Sequence, residues 1–166
     1  MTIFLCGFMG CGKSTAGKEL ASLLGKNFID MDSYIVKKAG RPISEIFAEK
    51  GEDFFRSVES EAVEELALSD AVVACGGGAM LKAENAETAS RHGRVVYMEE
   101  DFEVCYQRIS GDASRPLVMN NTKKALSEIY NARIHLYEEH SDLKIRCGAT
   151  PSETAETIKQ LLIDNL

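Results

Sequence analysis

Gly7-Phe8-Met9-Gly10-Cys11-Gly12-Lys13-Ser14 constrains this chain more than any other stretch. It reads G-x-x-x-x-G-K-S, the Walker A or P-loop pattern. The apolar run Ile3-Phe4-Leu5-Cys6 before it suits a buried strand. After it, Ala16, Leu20, Leu23 and Leu24 fall at helical spacing within Ser14–Leu24. Strand, glycine loop and helix together are the context in which this pattern binds phosphate. Glycines let the backbone curl so that successive N–H groups converge on phosphate oxygens. The helix start aims its positive dipole end and its unpaired N–H groups at the same anion. Lys13 can reach the terminal phosphates, and the Ser14 hydroxyl can sit on Mg²⁺.

At 166 residues the chain fits one domain with a substantial core. A net charge of −7 argues against a sequence-independent grip on nucleic acid, which needs a basic face. The five cysteines (Cys6, Cys11, Cys75, Cys105, Cys147) lack metal-type spacing. Reduced, mostly buried thiols in a cytoplasmic protein are expected; Cys11, inside the loop, is given no chemistry of its own. Strand residues begin at once, so no signal peptide is expected, and no apolar run approaches membrane-spanning length.

Along the chain, Asn27-Phe28-Ile29-Asp30 is a short apolar run ending in a carboxylate, with Asp32 two residues on. Carboxylates there sit at the carboxyl edge of a strand, where open α/β sheets bind ligands. Asp32 either takes that role or caps the next helix; Asp30 is expected near Mg²⁺, through water. Residues 32–60 break the strand–helix alternation. Helices are predicted over Tyr34–Ala39 and Ser44–Lys50, the second ended by Gly51, and a third from Asp53. On the third, Arg56 and Glu59 are three apart and share a face. They form either a surface ion pair or a pair in which Glu59 orients Arg56 towards a carboxylate.

Ala71-Val72-Val73-Ala74-Cys75 reads as a central parallel strand, ending in Gly76-Gly77-Gly78. A helix over Lys82–His92, a strand over Val95–Met98 and a helix capped by Asp101 follow. Residues 109–121, with Arg108 before them and Arg115 within, read as a polar lid loop over phosphates or as an ordinary solvated loop. Thr122–Glu139 is a long amphipathic helix with Arg133 on its apolar stripe. Leu143–Cys147 is a fifth strand, and Thr150-Pro151-Ser152-Glu153 starts the last helix with a capping box. His92, His135 and His140 show no triad or metal spacing and read as surface residues. Five strands alternating with helices imply a three-layer α/β/α sandwich on a five-stranded parallel sheet.

These residues resemble the shikimate kinase family over nearly the whole chain. The resemblance runs through Gly7–Thr15, Asp30-x-Asp32, Gly40-x-x-Ile43-x-x-Ile46-Phe47 and Gly51-Glu52-x-x-Phe55-Arg56-x-x-Glu59. It continues through Gly76–Gly78, Arg108, Arg115-Pro116-Leu117 and Arg133-x-x-x-Tyr137-Glu138-Glu139. It implies transfer of the γ-phosphoryl of MgATP to the 3-hydroxyl of shikimate, a step of aromatic amino-acid biosynthesis. By position it makes Lys13, Asp32 and Arg115 catalytic. Gly10, Cys11, Gly12, Lys13, Ser14, Thr15, Arg108 and Arg115 fall on its ATP site. Asp32, Arg56, Gly76, Gly77, Gly78 and Arg133 fall on its shikimate site, and Ser14 and Asp30 on its Mg²⁺ site. A cytoplasmic monomer whose partners are shikimate and ATP, with neither nucleic acid nor membrane, is the expectation. Arg146-Cys147-Gly148-Ala149 departs from the family's aspartate-containing adenine loop. A gluconate kinase on the same fold, and a nucleotide switch without transfer chemistry, are the alternatives.

Overall fold

The computed structural model describes residues 1–166. Five strands, β1 (Thr2–Cys6), β2 (Asn27–Asp30), β3 (Ala71–Ala74), β4 (Gly93–Glu99) and β5 (Leu143–Arg146), form one parallel sheet ordered β2-β3-β1-β4-β5. Its inner strands are apolar on both sides because helices cover both faces. Phe4, Leu5, Val72, Val73, Val95 and Val96 are fully buried. The helices are α1 (Lys13–Leu24), α2 (Met31–Ala39), α3 (Ile43–Leu66), α4 (Ala83–His92), α5 (Phe102–Ile109), α6 (Pro116–Asn120), α7 (Lys123–Glu139) and α8 (Pro151–Asp164).

The strand order matters for function. From β1 the chain passes over β3 to reach β2, and from β3 it passes back over β1 to reach β4. The order therefore reverses between β1 and β3, and a crevice opens at their carboxyl ends. The Gly7–Ser14 loop leaves β1 at that crevice, and Gly76–Gly78 leaves β3 beside it.

The helices between β2 and β3 are α2 and α3, and α3 consists of two helical halves broken at Gly51 (φ 81°, ψ 174°), where the sequence placed a stop. Other predicted elements need correction. Residues 109–121 are not all loop: Pro116 at a first helical position starts the short α6, which tucks Leu117 and Val118 against the core. Asp101 does not cap α5; its carboxylate accepts two hydrogen bonds of 2.9 Å from Arg146 instead. Residues 79–81 form a separate 3-10 turn ahead of α4. Thr150 caps α8 as expected, accepting from Glu153 N–H at 3.2 Å. Its partner Glu153 bonds the N–H of Ala149 rather than closing the box. His140 is half-buried, its Nδ1 2.8 Å from the Met80 carbonyl oxygen, so it is not a plain surface residue.

Candidate active site

The loop after β1 closes around its own lysine. Lys13 is buried, and its ammonium donates to the carbonyls of Gly7 (2.9 Å) and Phe8 (3.0 Å). The first helical hydrogen bond of α1 runs from Ala16 N–H to Gly12 C=O, which leaves the N–H groups of Lys13, Ser14 and Thr15 without helical acceptors. Those donors open onto a cavity of about 420 Å³. Gly10 is needed in this loop. Its φ is +82°, and a Cβ there would sit 2.7 Å from the Cys105 carbonyl oxygen and 2.8 Å from an Ile109 methyl. Arg108 at the end of α5 donates to the Gly10 carbonyl at 3.0 Å, fixing a cation at the loop's rim.

Asp30 and Asp32 divide the two roles the sequence left open. Asp30 caps α2, one oxygen accepting from Ser33 N–H at 3.0 Å, and its other oxygen accepts from the Ser14 hydroxyl at 2.8 Å. Asp32 sits in the first turn of α2, relieved of capping, and lines the cavity. Burial pushes its carboxyl up, Asp30 pushes the same way, and Lys13, Arg115 and Arg56 pull it back.

A second cavity of about 330 Å³ shares Met9, Asp32, Gly76, Gly77 and Arg115 with the first. Arg56 and Arg133, from α3 and α7, both line it, with Phe47, Phe55 and Leu117 as apolar wall. Arg56 is gripped by Glu59 and, at 3.2 Å, by Glu52. Glu59 is 1% exposed, so this is no surface pair: burial pushes Glu59 up against the pull of Arg56. Burial works against the Arg56 charge too, but Glu59 and Glu52 outweigh it and raise the arginine. Gly76 leaves room for both carboxylates: a Cβ there would fall 2.8 Å from an Asp32 oxygen and 2.9 Å from one of Glu59, and would push those side chains aside. Gly78 lies directly under the Arg56 guanidinium.

The structure brings all the expected site residues to these two cavities, although Arg115 is held at the rim by Asp112 (2.8 Å). Cys147, Gly148 and Ala149, which stand where the resemblance puts the adenine loop, form a wall of the first cavity. The sequence reading missed Glu100 on that cavity and Ile43 and Asn120 as lining of the second, because tertiary packing alone brings them there. Burial pushes the Cys6, Cys105 and Cys147 thiols up to about 12 and Cys75 well above its usual range, so these four stay protonated near neutral pH. No three His, Cys, Asp or Glu side chains form a cation cage, and no helix is long and apolar enough to cross a membrane.

Residues 9–163 match the family model described as shikimate kinase. The chain belongs to the shikimate kinase family. It is an ATP-dependent kinase that phosphorylates shikimate. A shikimate kinase of Geobacter sulfurreducens is 45% identical over 93% of this chain and 86% of its own length. One from Streptococcus gordonii is 38% identical over 97% of this chain and the whole of its own. The solved shikimate kinase of Acinetobacter baumannii in complex with shikimate superposes with a TM-score of 0.93 at 38% identity, covering 99% of this chain and 93% of that one. In this chain a phosphate-loop cavity joins an arginine-lined one, an arrangement that suits transfer between two substrates.

Proposed function

We propose that ATP fills the larger cavity and shikimate the smaller, and that the γ-phosphoryl passes to the 3-hydroxyl where the two meet. The observation that carries this is the sharing of Asp32, Gly76, Gly77 and Arg115 between the cavities, with two arginines in the shikimate cavity. The N–H groups and side chains of Gly10, Cys11, Gly12, Lys13, Ser14 and Thr15 hold the phosphates, and Arg108 holds the nucleotide at the rim. Lys13 turns from its loop carbonyls to the terminal phosphates, and Arg115 leaves Asp112 to meet the transferred group as the lid closes. Arg56 and Arg133 hold the shikimate carboxylate, and Gly76, Gly77, Gly78 and Asp32 hold its hydroxyls.

In the transfer the 3-oxygen of shikimate bonds to the γ-phosphorus while the bond from that phosphorus to the ADP oxygen breaks. Such a reaction needs alignment and charge neutralisation more than a strong base. Asp32 accepts the hydroxyl's hydrogen bond, and its raised proton affinity suits it to take the proton as the new bond forms.

The hard oxygens of Ser14 and Asp30, already 2.8 Å apart beside the loop, suit Mg²⁺, a cation that keeps several waters and takes few protein ligands. When bound, Mg²⁺ neutralises charge across the terminal phosphates. The chain acts as one domain, with 32–60 as the shikimate-binding helices and 109–121 as the lid. It works as a monomer in the cytoplasm, in the pathway to aromatic amino acids.

The test is the carboxylate. Arg56→Ala or Arg133→Ala should cost roughly 2–5 kcal/mol of shikimate binding, the range for one partner of a desolvated charge pair. ATP binding alone should change little. Replacing the carboxylate by a carboxamide should weaken binding to the wild-type protein and much less to either variant. Equal wild-type affinity for acid and amide would remove the carboxylate role of both arginines.

A further inference from the structure

Tyr137 lies one helical turn beyond Arg133 on α7 and is 1% exposed. Its hydroxyl donates to the Gly77 carbonyl at 2.5 Å, a bond between residues sixty apart in sequence. Gly77 itself faces Arg133, since a Cβ there would stand 3.8 Å from Arg133 Nη1. Burial pushes the Tyr137 hydroxyl strongly up, and the Arg133 guanidinium beside it pulls it partly back. The ring stacks on Tyr97 of β4, with centroids 5.4 Å apart and planes at 26°. Sheet packing therefore fixes where the hydroxyl points.

Phenylalanine would fill this part of the core equally well, so packing does not require the hydroxyl. A buried hydroxyl is costly unless it is hydrogen-bonded, and here its acceptor is the middle residue of the glycine turn. A different side chain already ties α7 to the same segment: His140 Nδ1 donates to the Met80 carbonyl at 2.8 Å, since a carbonyl oxygen can only accept. Attachment of the helix thus has its own bond, farther along the segment.

We propose that Tyr137 is a positioning residue for shikimate: its hydroxyl holds the Gly76–Gly78 turn and the Arg133 guanidinium in register with each other. The inference rests on the reading of Arg133 and that turn as shikimate contacts. Without the hydroxyl, the Gly77 carbonyl loses its partner and the turn can rotate away from the arginine. The loss falls mainly on shikimate binding, because Gly77, although it lines both cavities, is not among the Lys13–Thr15 amides that hold the phosphates.

The experiment compares wild type, Tyr137→Phe and Arg133→Gln by steady-state kinetics in both substrates, by calorimetric titration of shikimate without ATP, and by thermal unfolding. Tyr137→Phe is expected to raise KM and Kd for shikimate about tenfold, the scale of one hydrogen bond left unmade. Its kcat and KM for ATP should stay within about twofold of wild type, and its Tm close to it. Unchanged shikimate constants in Tyr137→Phe, with a strong effect in Arg133→Gln, would overturn the inference and leave the site reading standing. A Tyr137→Phe protein whose kcat, both KM values and Tm all deteriorate together would mark a merely structural role, also overturning it. If Arg133→Gln binds shikimate normally, the site reading fails and the inference falls with it.

Discussion

Asp32 shows how a single carboxylate is kept available for chemistry. Its neighbour Asp30 takes the helix cap and the Ser14 hydroxyl, so Asp32 has no local hydrogen-bonding duty. Burial and the nearby Asp30 charge raise its proton affinity, which has a cost in stability. A carboxyl raised on folding binds its proton more tightly in the folded chain than in the unfolded one, where it titrates at about 3.9. The penalty is absent below that pH, grows as pH rises towards the folded value, and is complete above it. Asp32→Asn should therefore unfold at a higher temperature than wild type at pH 7, an advantage that shrinks as the pH falls to about 4. Its turnover should drop sharply at the same time. Melting curves across that range, with turnover at pH 7, check both halves; a variant less stable than wild type at pH 7 contradicts the sign.

The lid joins two elements that differ in how firmly they are held. α5 is anchored through Ile109 and Cys105, both buried, and through Arg108 on the Gly10 carbonyl. α6 has no buried residue and only Leu117 and Val118 packed against the core. Between them Arg115 rests on Asp112, with its side chain 42% exposed. An ion pair that exposed is worth at most about 1 kcal/mol, so exchange for a phosphate is easy. Arg115→Ala should slow turnover by at least about tenfold at saturating substrates, with a smaller effect on shikimate KM, because the residue is asked to act only after closure. Severe loss of shikimate affinity with undiminished turnover would assign Arg115 to ground-state binding instead.

At the scale of the whole molecule, ligands that bind only the folded chain stabilise it by mass action. Shikimate at a hundred times its dissociation constant should add about 2.7 kcal/mol. For a protein of this size that is a rise of roughly 5–10 °C in melting temperature. The rise should be strongly reduced in Arg133→Ala and kept in Lys13→Ala, since the two residues serve different cavities. A thermal-shift series with each ligand alone reads this out, and equal shifts in both variants would deny the division of the site. Much of this plan was legible in the chain: the phosphate loop announces itself through glycine spacing, and the helix break through Gly51. Arg56 and Glu59, three residues apart, were paired from helical geometry alone. These are local patterns, and backbone sterics act over a few residues. The α6 turn was missed because five residues carry too little periodicity to outweigh the surrounding Gly, Asp and Asn. Asp101 looked like a cap until Arg146, 45 residues away, claimed its carboxylate. What buries Glu59 and how Tyr137 meets Gly77 depend on strand order. Placing β3 beside β1 brings two glycine loops, two arginines and Asp32 to one crevice, and non-local packing sets those distances.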